Sequence, residues 1–203
     1  MVITALPMKV YYKKNSKVSE KRKSQAKILR VFRKVHRTTG AFLFVFFFIV
    51  AITGFLLGIK KHSGGLILPE TKKGVSTDLV DFLPLDSLQN NANRFIVAYL
   101  KETSVSEIDR IDVRPEKGMV KFTFKSHFYE VQLDGTTGEL LQIDTRRSDV
   151  IEKIHDGSIV DYYLGFQSGT FKLIYTSIMS FALLVFTITG FWLWYGPKRM
   201  RKS

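Results

Sequence analysis

The sequence predicts an α+β membrane protein: two antiparallel transmembrane helices flanking a small extracytoplasmic domain of one helix plus an antiparallel sheet. Three observations predict it. First, Ala41–Ile59 runs nineteen residues without a charge, and Leu173–Pro197 is likewise uncharged. At about 1.5 Å per residue, each run is long enough to cross the hydrocarbon of a bilayer. Second, the residues between them contain apolar/polar alternation with a period of two, the pattern of half-buried strands. Third, the net charge of +13 is unevenly spread. Residues 1–40 hold twelve Lys/Arg and one acid, net +11; residues 197–203 are net +4; residues 41–196 are net −2. Basic ends beside apolar runs obey the positive-inside rule, which puts both termini in the cytoplasm and residues 61–170 outside a bacterial inner membrane.

In chain order, residues 1–34 form a basic cytoplasmic segment. Val18, Ile28, Leu29, Val31 and Phe32 give it apolar positions for an amphipathic helix against anionic headgroups, or it is a disordered tail that only sets topology. The charged region is too long for a signal peptide, and no small-residue cleavage site follows, so a retained anchor is expected. The first span covers 35–60, with adjacent phenylalanines (Phe42, Phe44, Phe46, Phe47, Phe48) and no polar face. Gly64-Gly65 and Pro69 open a linker over 61–85.

Residues 86–146 form the folded domain. Asp86 or Ser87 caps a helix reaching Lys101. Strands follow on Ile108/Ile111/Val113, Val120/Phe122/Phe124, Tyr129/Val131/Leu133 and Leu140–Ile143. Residues 147–170 are an amphipathic segment on the outer surface. The second span covers 171–196, with Trp192, Trp194 and Tyr195 as an interfacial belt before the basic tail 197–203. Both spans contain Ile-Thr-Gly-Phe, at Ile52–Phe55 and Ile188–Phe191, either a short echo of an inverted repeat or convergent small-residue packing.

Three motifs carry a family resemblance. They are His36-Arg37-x-x-Gly40 at the start of the first span, Val131–Ile143 (VQLDGTTGELLQI) in the domain, and His155-Asp156-Gly157 ahead of the second span. In this order they resemble the PepSY-associated transmembrane family over residues 33–197, with a PepSY-like domain at its centre. Many members have four or more spans, whereas this chain has two. The resemblance implies haem binding, because some members resemble haem-containing ferric-siderophore reductases of the inner membrane.

The residues themselves leave two readings open. Neutral imidazole ligates haem iron directly, and His36 and His155 border the two spans. His36, Gly40, Leu43, Phe47, Val50 and Gly54 share one helix face by 4-3-4-3 spacing, so a flat macrocycle has room against glycine. Against this, Gly40, Gly54 and Gly58 also read as helix-packing positions, with His36 a member of the basic collar. His62 competes with His155 for an outer site, Asp156 is a candidate orienting partner of His155, and His127 reads as structural. His36 and His62 lie 26 residues apart, about 39 Å on a helix, so no single haem reaches both. Bis-histidine ligation at two sites then needs a homodimer or another membrane subunit.

Several classes find no support. The absence of cysteine excludes disulfides, thiol catalysis, iron–sulfur clusters and c-type haem. HExxH, GxSxG and a glycine-rich phosphate loop are missing. Nucleic-acid binding is not expected from a basic tract with one aromatic pair. The resemblance, added to the two histidines bordering the spans, makes the expectation a b-type haem electron carrier linked to ferric-siderophore reduction. The alternatives are a membrane-anchored interaction module that takes a peptide or protein at its sheet edge, or an accessory subunit of a larger complex.

Overall fold

A computed structural model describes residues 8–166 and 168–202, with side chains from Glu20 onward apart from Lys21 and Lys202. The expectation for residues 1–7 lies outside these.

Helix α1 spans Met8–Ile59 without interruption. Its 52 residues extend about 78 Å, far beyond a bilayer. The basic segment is thus not a separate element: no proline or glycine lies between Met8 and Gly40, and Lys, Arg, Gln and Ala propagate a helix well. Helix α5, Thr170–Lys202, runs antiparallel to α1. The register is plain from side chains. Leu29 lies against Gly196, Phe32 meets Trp192 edge-on at 6.2 Å, Gly40 lies against Phe186, and Phe46 meets Tyr175 at 6.3 Å. Only 11% of the most apolar stretch of each helix is buried. Phe42, Phe44, Phe48, Phe55, Leu173 and Phe181 all stand exposed, which suits lipid and not water.

The domain follows the predicted order. Helix α2, Leu85–Leu100, precedes strands β1 (Ile108–Arg114), β2 (Met119–Phe124), β3 (Tyr129–Asp134) and β4 (Leu140–Thr145). They pair antiparallel in that order. Leu88, Ala92 and Ile96 of α2 pack on Val120, Phe122, Val131 and Leu133 of the central strands. The expected cap is absent: α2 starts after Pro84 with no side-chain cap, and Asp86 instead accepts from Ser87 N at 2.8 Å.

The stretch expected to be a linker does more than connect. The alternate residues of β2 and β3 put Lys121, Glu130, Gln132 and Asp134 on the second face of the sheet, all buried. Residues 70–75 lie across that face as a strap. Gln132 Nε2 donates to Glu70 O at 3.0 Å, Lys72 N to Gln132 Oε1 at 2.9 Å, and Val75 N to Asp134 Oδ2 at 2.6 Å. Buried polar groups need such partners, and the strap supplies them from its backbone. Asp134 also receives Thr136 N and Thr137 N, each at 2.8 Å, so it holds the hairpin turn and the strap together. Burial acts to raise its pKa, but these N–H donors outweigh it and hold the carboxyl below the usual carboxylate range.

Two short helices return the chain to the membrane: α3, Arg147–His155, and α4, Ser158–Leu164. Glu130 clamps the first to the sheet. It receives Arg146 Nη1 at 2.8 Å and Lys121 Nζ at 3.0 Å, while Arg146 Nε donates to Asp149 at 2.7 Å. Burial pushes the Lys121 pKa below the ordinary lysine value despite the pull of Glu130. Ser148 N donates to Ile67 O and Arg147 Nη1 to Leu66 O, both at 2.8 Å.

Candidate functional site

The two Ile-Thr-Gly-Phe copies each form a ledge that receives a histidine from another element. On α5, Thr189 Oγ1 donates to Val185 O at 2.7 Å, the usual back-bond of a helical threonine. His36 of α1 reaches across to this ledge: its Nδ1 lies 3.0 Å from Thr189 Oγ1 and 3.2 Å from Phe186 O. A carbonyl oxygen only accepts, so Nδ1 carries the proton. The ring stacks on Phe186, centroids 3.9 Å apart. A Cβ at Gly190 would stand 3.2 Å from His36 Cε1, so glycine leaves the imidazole its place.

The same arrangement recurs at the other end of the apolar run. On α1, Thr53 Oγ1 donates to Ile49 O at 2.7 Å. His155, the last residue of α3, sets its Nδ1 2.9 Å from Thr53 Oγ1. With the single hydroxyl hydrogen of Thr53 on Ile49 O, as in the usual back-bond, Nδ1 of the imidazole is the donor. A Cβ on Gly54 would meet His155 Cε1 at 3.4 Å. In both places Nδ1 faces the ledge, a neutral imidazole with its proton there has a lone pair on Nε2, and no described residue bonds to either Nε2. Thr53 lies 17 residues from His36, about 26 Å along α1, so the two imidazoles sit near opposite limits of the apolar layer.

Other residues of the candidate set separate clearly. Gly40 lies beside the Phe186 ring, where a Cβ would come within 3.0 Å, so it serves helix contact at the His36 end. A Cβ at Gly58 would meet no described residue outside its own stretch of helix within 4 Å, so Gly58 is not a contact between α1 and α5. His62 lies beyond α1 in the turn Lys60–His62, exposed, and is not brought to the Thr53 ledge. His127 accepts from Tyr129 N at 3.3 Å beside the Phe124 ring, and burial lowers its pKa.

Asp156 does not orient His155. Its carboxylate pairs with Lys172 Nζ at 2.6 Å and accepts Ser158 N at 2.9 Å, and Thr53 does the orienting. Burial acts to raise the Asp156 pKa; Lys172 and Ser158 outweigh it and lower it. Gly157, at φ 79°, turns the chain after α3, and a Cβ there would strike the Tyr175 ring at 2.7 Å. Asp161, buried, accepts Phe171 N at 3.0 Å and Lys172 N at 2.8 Å, closing the start of α5. Thr53, Thr189, Gly190 and Phe186 are absent from the sequence-derived set, although the repeated tetrapeptide contained three of them.

Residues 33–203 match the family described as the PepSY-associated TM region. The match covers most of the chain, which therefore belongs to that family: it is a membrane protein with a PepSY domain between two spans. A search of curated proteins finds no match.

Proposed function

We propose that this chain is a b-type haem-binding electron carrier of the bacterial inner membrane, linked to ferric-siderophore reduction and working as a dimer or with a partner subunit. One observation carries the reading. Two histidines near opposite limits of the apolar layer each set Nδ1 against a threonine ledge, and no described residue bonds to either Nε2. With the proton on Nδ1, that is the tautomer an axial imidazole needs, held by a neighbouring acceptor as metal-ligating histidines are.

His36 and His155 would hold the iron, and haem would supply one-electron chemistry. Thr189, Thr53 and Phe186 O keep the imidazoles in one tautomer and orientation. Gly54 and Gly190 give the rings room against the helices. His62 and His127 are not brought to either ledge, so among the described residues each ledge has a single imidazole. A further iron ligand would have to come from another chain, and the exposed phenylalanines of α1 and α5 offer an apolar surface for one. The basic ends support cytoplasmic termini.

The test is a visible spectrum of protein purified in mild detergent, oxidised and then dithionite-reduced. A Soret band with sharpened α and β bands is expected. His36→Ala and His155→Ala should each remove part of it, and the double variant all of it. Colourless protein from haem-replete cells, or a double variant with the wild-type spectrum, overturns the reading.

A further inference from the structure

Two adjoining cavities, of 390 and 420 Å³, lie between the β1 edge of the sheet and the domain end of α1. Lys60, Arg110 and Arg146 border both. The larger carries an unusual charge balance. Its only lining carboxylate is Asp112, and Arg114 occupies that through Nε at 2.9 Å and Nη2 at 2.7 Å. The buried Lys121 is committed to Glu130, and Arg146 to Glu130 and Asp149. Lys60, Lys61 and Arg110 remain, with no acid in ion-pair reach among the described residues. The smaller cavity adds Lys153, which stands 5.2 Å over the Tyr162 ring, but also unpaired Asp109 and Glu152, so the surplus is concentrated in the larger one.

General basicity does not explain this, because residues 41–196 are net −2. Unpaired cations gathered around one concavity repel one another and raise the local concentration of anions. The volume falls in the range of about 300–1,000 Å³ typical of small-molecule sites. A planar guanidinium beside two ammonium groups suits an anion with several oxygens.

We propose that this crevice binds a polyvalent oxyanion, a soluble polycarboxylate or polyphosphate, or the phosphate of a lipid headgroup. Lys60 and Lys61 follow directly on the last residue of α1, so the floor of the crevice is within reach of both sources. Asp156, next to His155, lines the neighbouring cavity. If the haem reading holds, the crevice is where an anionic electron acceptor docks; that use, but not the binding itself, rests on the reading.

The test uses the full chain in phosphatidylcholine nanodiscs, titrated calorimetrically with citrate and with pyrophosphate. Saturable binding is expected that weakens with salt and falls at least tenfold in Lys60→Glu/Arg110→Glu. Arg110→Gln alone, a milder change, should weaken it less. Should neither anion bind, wild-type protein that retains phosphatidylglycerol through purification when the double variant does not assigns the site to lipid phosphate. Binding equal in wild type and both variants, or no binding with no lipid retention, overturns the proposal. The visible spectrum of the double variant separates the two readings, since neither residue touches the histidine ledges. A colourless protein that binds citrate removes haem and leaves the crevice standing.

Discussion

His36 and His155 rest on the same Thr-Gly ledge but are mounted differently. His36 belongs to a long helix packed along the other span, has two acceptors in Thr189 Oγ1 and Phe186 O, and stacks on a phenylalanine. His155 ends a nine-residue helix and has one acceptor, Thr53. Its position depends on the folded domain, through Glu130 to Arg146 at the start of α3 and through Ile67 and Leu66 to Ser148 and Arg147. One site is built by helix packing alone. The other is built by a soluble-type fold that reaches down to the membrane, which gives the PepSY domain a mechanical task apart from any partner it binds.

The largest expected effect comes from cutting that mounting. Glu130→Ala leaves the buried Lys121 without its carboxylate and Arg146 with Asp149 alone, and should cost the domain about 3–5 kcal/mol, read by denaturant unfolding. On the proposed haem reading, the His155 part of the signal should weaken and the His36 part should stay. Equal loss at both ends breaks the comparison.

Next come the ledges. If His155 holds haem as proposed, Thr53→Val should lower haem affinity at the domain end by about 10–100-fold, the usual cost of losing the group that orients a ligating histidine. Thr189→Val should cost less, because Phe186 O still receives Nδ1–H. Haem titration of the two apo variants measures the difference, and the reverse order would refute the account of two acceptors against one.

Smaller still is the turn after His155. Gly157→Ala forces a side chain into left-handed backbone and against Tyr175, with a loss of about 1–2 kcal/mol or more from the backbone alone. Gly58→Ala, with open space around it, should be neutral or stabilising within about 1 kcal/mol. Thermal melts of the two variants decide this.

The smallest effect is a pH dependence. The folded pKa of Asp134 is depressed, so its contribution to stability is fully present above the unfolded carboxylate value of about 3.9 and is lost as pH falls through the folded value. Asp134→Asn should flatten that acid limb of a stability–pH curve. An unchanged limb would show that the strap does not depend on this carboxylate.

Much of this architecture is legible in the sequence because it rests on local patterns. Charge-free runs of bilayer length, period-two alternation at Val120–Phe124 and Tyr129–Leu133, and the Asp134–Gly138 turn each encode their element within a few residues. The histidines stand out for the same reason, since only four occur and two border the spans. What tertiary structure decided is who faces whom. A threonine inside a helix reads as a back-bonded residue of no consequence, and only the register of α1 against α5 and α3 turns Thr189 and Thr53 into acceptors for imidazole. Asp156 looked like the partner of its neighbour His155, but the turn at Gly157 aims it at Lys172. The strap over 70–75 carries no strand pattern because it bonds through backbone to side chains of the sheet, and the crevice gathers cations from four separate stretches of chain. Such arrangements depend on contacts far apart in sequence, which periodicity along the chain does not encode.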